Sequence, residues 1–303
     1  MSAGPNPTGD AERNGSQRRS GAGRGGRAGQ RIAKRGADGE RIAGRGRSQN
    51  SRRDERRAQD SGHAQPQRSA ETTPDGELAR PDLPPDADGS ELDREVREEL
   101  LTLPKGLAEL VGNHLMMAAR LLDEDPQLAL AHARFARSKA GRVAAVREAA
   151  GLSAYHAGEW SEALAELRAA RRLGGDTGRL AVLADCERAL GRPERALEIA
   201  RSPEARQLGM DESVELRIVA AGARRDLGQF DAAVVALQGP DLEAAGEEPW
   251  RARLRYAYAD NLLAAGREQD AIKWFMSAAE ADVDEATDAA ERAVELSERP
   301  APQ

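Results

Sequence analysis

The sequence predicts an all-α fold, a helical-repeat solenoid of about ten helices paired as helix-turn-helix units and preceded by a disordered tail. Three observations predict it. Glycine recurs after a helix-like run at Gly158, Gly191, Gly228 and Gly266. Alanine follows five residues later, at Ala163, Ala196, Ala233 and Ala271, and a small residue sits seven residues earlier, at Gly151, Ala184, Ala221 and Ala259. Glycine tolerates the left-handed backbone that closes a helix, and small side chains let the next helix approach closely. The glycines are 33, 37 and 38 residues apart. A unit of that length cannot bury its apolar face alone, so copies must stack.

Residues 1–90 stand apart from this pattern. Besides the initiator they hold four large aliphatic residues, Ile32, Ile42, Leu78 and Leu83, and no aromatic one. Such a segment cannot offset the ordering entropy of about 1 to 2 kcal/mol per residue, so it is expected to be disordered. Its last part, 71–90, is acidic and carries Pro74, Pro81, Pro84 and Pro85, which reads as a spacer. Helices are expected from there on. Ser90 and Asp93 are candidate starts for a helix over 91–101, which Pro104 ends. Leu107, Leu110, Val111, Leu115, Ala118 and Leu122 share one face of a helix over 105–122. Asp125 caps and Pro126 opens the next, to about residue 139, with the small-residue ladder Ala129, Ala133 and Ala136. This first pair lacks the turn glycine. Four clearer pairs follow to residue 298, and 299–303 is expected to be disordered. In the first of them Trp160, Ala163, Leu167 and Ala170 lie on one helix face. The Gly-Pro-rich segment 238–249 stretches the last interval.

These residues resemble the tetratricopeptide repeat, which has a small residue in the first helix, glycine at the turn, an aromatic two beyond it and alanine five beyond it. The resemblance covers roughly 120–297 and extends more weakly back to 91. Trp160 and Phe230 fill the aromatic position, Pro193 and Glu268 depart from it, and Gly175 stands where a closing proline is usual. With its Arg/Gly-rich amino-terminal tail, the chain also resembles a group of bacterial tetratricopeptide proteins. The resemblance implies a concave groove lined by first helices, three before, one after and four after the small residue. In this chain those positions hold Glu148, Leu152 and Tyr155; Ala181, Asp185 and Arg188; Ile218, Gly222 and Arg225; and Tyr256, Asp260 and Leu263. Glu148, Leu152, Tyr155, Asp185, Arg188, Arg225, Tyr256 and Asp260 are the candidate partner contacts. The Lys and Asn set that clamps a terminal carboxylate in some such domains is absent. Tyr256 and Tyr258 alternate on opposite sides of one helix, so at most one is expected in the core and the other free for contact.

Charge divides the chain. Residues 11–70 carry 16 Lys or Arg against 6 Asp or Glu, whereas 91–303 carry 28 against 39. A basic arm on an acidic body suits contact with a polyanion, RNA or single-stranded DNA above all. Arg24, Arg27, Arg31, Arg35, Arg41, Arg45 and Arg47, set among glycines, are the candidate nucleic-acid contacts. A second reading stays open, since 41 Arg against 4 Lys is also what the coding bias of a GC-rich genome produces.

No catalytic pattern assembles. Gly21, Gly23 and Gly26 fit a dinucleotide-loop spacing but lack a strand before and a helix after. His63, His114, His132 and His156 have no metal-ligand spacing, and Cys186, with acids on both sides, reads as a buried structural thiol. The single cysteine excludes an internal disulfide. No apolar run approaches the length of a membrane span, and residues 1–30 lack the apolar stretch of a secretory signal, so a cytoplasmic location is expected. The expected function is that of a non-enzymatic scaffold, without metal or cofactor, gripping a protein or peptide in the groove while the tail adds a non-specific nucleic-acid contact. The rival is a primarily RNA- or DNA-associated protein whose helical part recruits or oligomerises.

Overall fold

The computed structural model describes residues 80–174, 179–244, 246 and 248–299. Among these residues it is all-helical, with thirteen α-helices and no strand. In chain order they are α1 Arg94–Leu100, α2 Lys105–Arg120, α3 Pro126–Ala140, α4 Ala144–His156, α5 Trp160–Arg172, α6 Leu180–Ala189, α7 Pro193–Ala200, α8 Met210–Asp226, α9 Phe230–Leu237, α10 Pro240–Glu243, α11 Pro249–Ala264, α12 Glu268–Ala281 and α13 Ala289–Glu298. The candidate tail contacts Arg24, Arg27, Arg31, Arg35, Arg41, Arg45 and Arg47 lie outside the described residues.

Local chemistry sets the helix ends. Pro126, Pro193, Pro240 and Pro249 each open a helix, where a missing amide hydrogen costs nothing. The Asp125 side chain accepts from the Leu128 amide at 3.0 Å. The four turn glycines close their helices identically. Their φ values are 81, 75, 72 and 75° for Gly158, Gly191, Gly228 and Gly266. Each glycine amide donates to the carbonyl three residues back, at Tyr155, Arg188, Arg225 and Leu263. The next amide donates five residues back, to Ala154, Glu187, Arg224 and Leu262. This double closure satisfies the carbonyls that a helix end leaves over, and it needs the left-handed residue that glycine supplies.

Helices pack mainly on neighbours in sequence: α2 on α3, α4 on α5, α6 on α7, α8 on α9, α11 on α12 and α12 on α13. First helices also meet one another, α2 with α4, α6 with α8 and α8 with α11. Ala163, Ala196, Ala233 and Ala271 are all 0% exposed, as are Ala184, Ala221 and Ala259. At Gly151 a Cβ would lie 2.6 Å from Leu167 Cγ, so even alanine is too large there. The apolar interior falls into three large clusters in succession, with Ala118, Ala133 and Ala150 forming a small contact of their own between α2, α3 and α4.

Two differences from the sequence expectation concern extent. Residues 80–90, expected as spacer, lie against α2. The Gly89 amide donates to Asn113 Oδ1 at 2.8 Å, and Arg120 pairs with Asp86 and Glu91. Gly89 meets Gly112 so closely that a Cβ on it would be 2.7 Å from the Gly112 carbonyl carbon. Two glycines far apart in sequence allow this approach, which composition does not announce. The other difference is two further helices. The short α10 seats Leu242 in the stretched 238–249 interval, and α13 covers the end of the last cluster with Ala289, Ala293 and Leu296.

Candidate functional site

The twelve stripe positions fall on α4, α6, α8 and α11, and the structure joins their polar members into a ladder. The Tyr155 hydroxyl donates to Asp185 Oδ2 at 2.7 Å, linking α4 to α6. Arg188 donates from Nη1 to Asp185 Oδ1 at 3.2 Å and from Nε to Asp226 Oδ2 at 2.7 Å, linking α6 to α8. Arg225 pairs with Asp260, linking α8 to α11, and Arg292 of α13 reaches Asp260 at 3.6 Å and the Tyr256 hydroxyl at 3.4 Å. At the other end Arg179 donates from Nε to Glu148 Oε1 at 2.8 Å.

Gly222 is what lets one of these rungs form. A Cβ there would fall 2.9 Å from Arg188 Cζ, so the guanidinium crosses over bare backbone to reach Asp226. Arg188 and Asp185 are 6% and 5% exposed, a depth at which charges persist only when paired and hydrogen-bonded.

The openness that the candidate partner contacts require is therefore met only in part. Glu148, Asp185, Arg188 and Tyr256 are buried, while Leu152, Tyr155, Arg225 and Asp260 are half-buried. The physical reason is the contact between first helices, which brings Asp226 of α8 within reach of Arg188 on α6 and Asp260 of α11 within reach of Arg225 on α8. Beside the half-buried polar members, the stripe leaves the apolar Leu152, Ala181, Ile218 and Leu263 partly open. The two tyrosines depart from expectation as well. Both are buried, Tyr256 edge-on to Phe275 at 5.2 Å and Tyr258 edge-on to Trp274 at 5.0 Å. α11 is packed on both sides, by α8 and α9 and by α12.

Second helices carry matched charges too. Arg137 and Arg147 converge on Glu166, and Arg134 and Arg137 on Glu162, tying α3, α4 and α5 together. Buried Glu187 receives Arg168 at 2.6 Å and Arg192 at 3.1 Å. Cys186 is fully buried. His114 and His132, read from sequence as scattered, meet between α2 and α3 with their Nδ1 atoms 2.9 Å apart. One ring must donate and the other accept, so at least the accepting imidazole is neutral. Burial first, then His132 and Arg80, pushes His114 down to about 4, and burial lowers His132.

Sequence reasoning missed Asp226, Arg179 and Arg292 as rungs. Gly222, a mid-helix glycine at a stripe position, is the one local sign that a large neighbour needs room. Among the described residues no group of three or more His, Cys, Asp or Glu is placed to hold a metal ion, and no helix is long and apolar enough to cross a membrane. Compared with the models of known protein families, with curated proteins and with solved structures, the chain matches none.

Proposed function

We propose that this chain is a tetratricopeptide-like solenoid that works by binding, holding an extended segment of another protein along the inner face of its first helices. One observation carries the reading: four turns with the same left-handed glycine, the same pair of closing hydrogen bonds and the same fully buried alanine five residues on. Repetition of one unit generates a long, regular surface rather than a single enclosed pocket, and such surfaces suit extended ligands. The ladder deepens this reading. Its charges hold neighbouring helices in register, and the half-buried Leu152, Ile218 and Leu263 offer apolar seats along the stripe. The basic segment 11–70 adds a non-specific polyanion contact, on the strength of its charge excess alone.

Photo-crosslinking tests the reading without truncating any side chain of the ladder. A photo-activatable side chain is placed singly at 152, 218 or 263, and for contrast at 235 or 276, where Val235 and Met276 are exposed on second helices. In variants that melt as the unaltered chain does, partner adducts are expected from the first three positions. Adducts arising only from 235 and 276 would place the working surface on the opposite face and overturn the proposal.

A further inference from the structure

The helices on either side of α8 are unusually short. α8 has 17 residues, whereas α7 and α9 have 8 each. Between them a cavity of about 220 Å³ is left against α8. Ser213, Arg217 and Arg224 line it from α8 at spacings of four and seven, which keeps them on one helix face, and Arg201 enters from the end of α7. Leu197 and Leu216 supply apolar wall.

The arginines here differ from those of the ladder. Arg217 is satisfied, since it pairs with Asp241 and donates to the Leu237 carbonyl at 3.0 Å. Arg201 and Arg224 have no carboxylate partner among the described residues. Arg224 is instead held below its usual basicity, by burial first and by the like charge of Arg201 second. Two guanidiniums turned toward one partly apolar cavity repel each other until a negative group comes between them, and their forked donors match the geometry of carboxylate and phosphate oxygens.

We propose that the cavity between α7, α8 and α9 is a binding site for a small organic oxyanion, a carboxylate or phosphate carried on a compact apolar body, with Arg201 and Arg224 taking the anion and Ser213 positioned to add a hydrogen bond. The volume limits the ligand to about one ring or a short alkyl chain, since pockets for larger ligands run from about 300 to 1,000 Å³. No residue of the stripe takes part, so the site can be filled while an extended partner is held.

Calorimetric titration and thermal melting of the full chain in low-chloride buffer test this, with phenyl phosphate, benzoate and inorganic phosphate as probes. Phenyl phosphate or benzoate is expected to bind saturably and raise the melting temperature, and whichever binds tighter identifies the preferred oxyanion. Arg224→Gln and Arg201→Gln should each weaken binding by about tenfold or more. Without ligand they should melt at the same temperature as the unaltered chain or slightly higher, because a repulsion has been removed. Arg206→Gln, an exposed change outside the cavity, should leave binding intact; the tail arginines are common to all variants and cancel. Three results would overturn the proposal: no saturable binding of any probe, binding retained when Arg201 and Arg224 are both glutamine, or inorganic phosphate binding as tightly as phenyl phosphate, which would remove the apolar carrier.

Discussion

Arg224 and Arg225 are consecutive residues of α8, yet they meet opposite fates. Arg225 turns toward α11 and is matched by Asp260, one rung in a series that also contains Arg188 between Asp185 and Asp226. Arg224 turns toward the cavity and meets Arg201, another cation. The difference lies in what the packing of each side provides. Where first helices touch, each buried guanidinium has found an acid, and removing it would strand a charge. Where the short α7 and α9 fail to cover α8, the guanidiniums stay partly solvated and need no internal partner. A matched charge in this fold holds packed helices together, and an unmatched one is left for something outside the chain.

The sharpest way to break that comparison is Arg188→Ala. It removes the cation that Asp185 and Asp226 share and leaves Asp185 with the Tyr155 hydroxyl, and losing the buried arginine of such a network costs about 3 to 5 kcal/mol. Urea unfolding should show the loss. A cost below about 1 kcal/mol would mean that Arg188 is a surface contact after all, as the sequence alone suggests.

The histidine pair sharpens the comparison from another direction, because burial disfavours its charged form. His114 is held at about 4 in the folded chain against an ordinary 6.5. The unfolded chain therefore takes up the proton first. The stability that the contact contributes is fully present above about pH 6.5 and is lost as pH falls toward about 4, at about 1.4 kcal/mol per pH unit. Over that window the loss should reach roughly 2 to 3 kcal/mol. Urea melts of the unaltered chain and of H114L/H132L, taken across the same pH range, isolate this term, since the carboxylates contribute equally to both. Equal pH slopes in the two proteins would show that the pair does not titrate as its burial implies.

What the sequence could and could not reveal follows the same division. Gly158, Gly191, Gly228 and Gly266 announce their turns because the left-handed residue, the closing hydrogen bonds and the buried alanine all fall within a dozen positions. The ladder joins residues about 30 to 38 apart, such as Tyr155 with Asp185 and Arg188 with Asp226, and periodicity finds the stripe without saying which way its charges are neutralised. The docking of 80–90 rests on Gly89 meeting Gly112, two glycines that look alike in sequence with any others. The cavity depends on two helices being short; Pro203 and Gly239-Pro240 mark their ends in the sequence but not the space this leaves against the longer α8.

The finest test uses the neighbouring arginines themselves, each changed to glutamine so that length is nearly kept and only charge and fork are lost. Arg225→Gln leaves Asp260 with Arg292 as a more distant partner at 3.6 Å, so the junction is weakened rather than stranded, and a cost of about 1 kcal/mol is expected for this half-buried pair. Arg224→Gln removes no ion pair and relieves its repulsion with Arg201, so its stability should stay within about 0.5 kcal/mol of the unaltered chain or rise slightly. Salt separates the two further. Chloride screens the Arg201–Arg224 repulsion, so any gain from Arg224→Gln should shrink as ionic strength rises, whereas the less exposed Arg225–Asp260 pair should respond weakly. Chemical unfolding of both variants at low and moderate salt decides it. If Arg224→Gln costs as much as Arg225→Gln at both, the cavity arginine has an internal role equal to its neighbour's, and the contrast between the two sides of α8 fails.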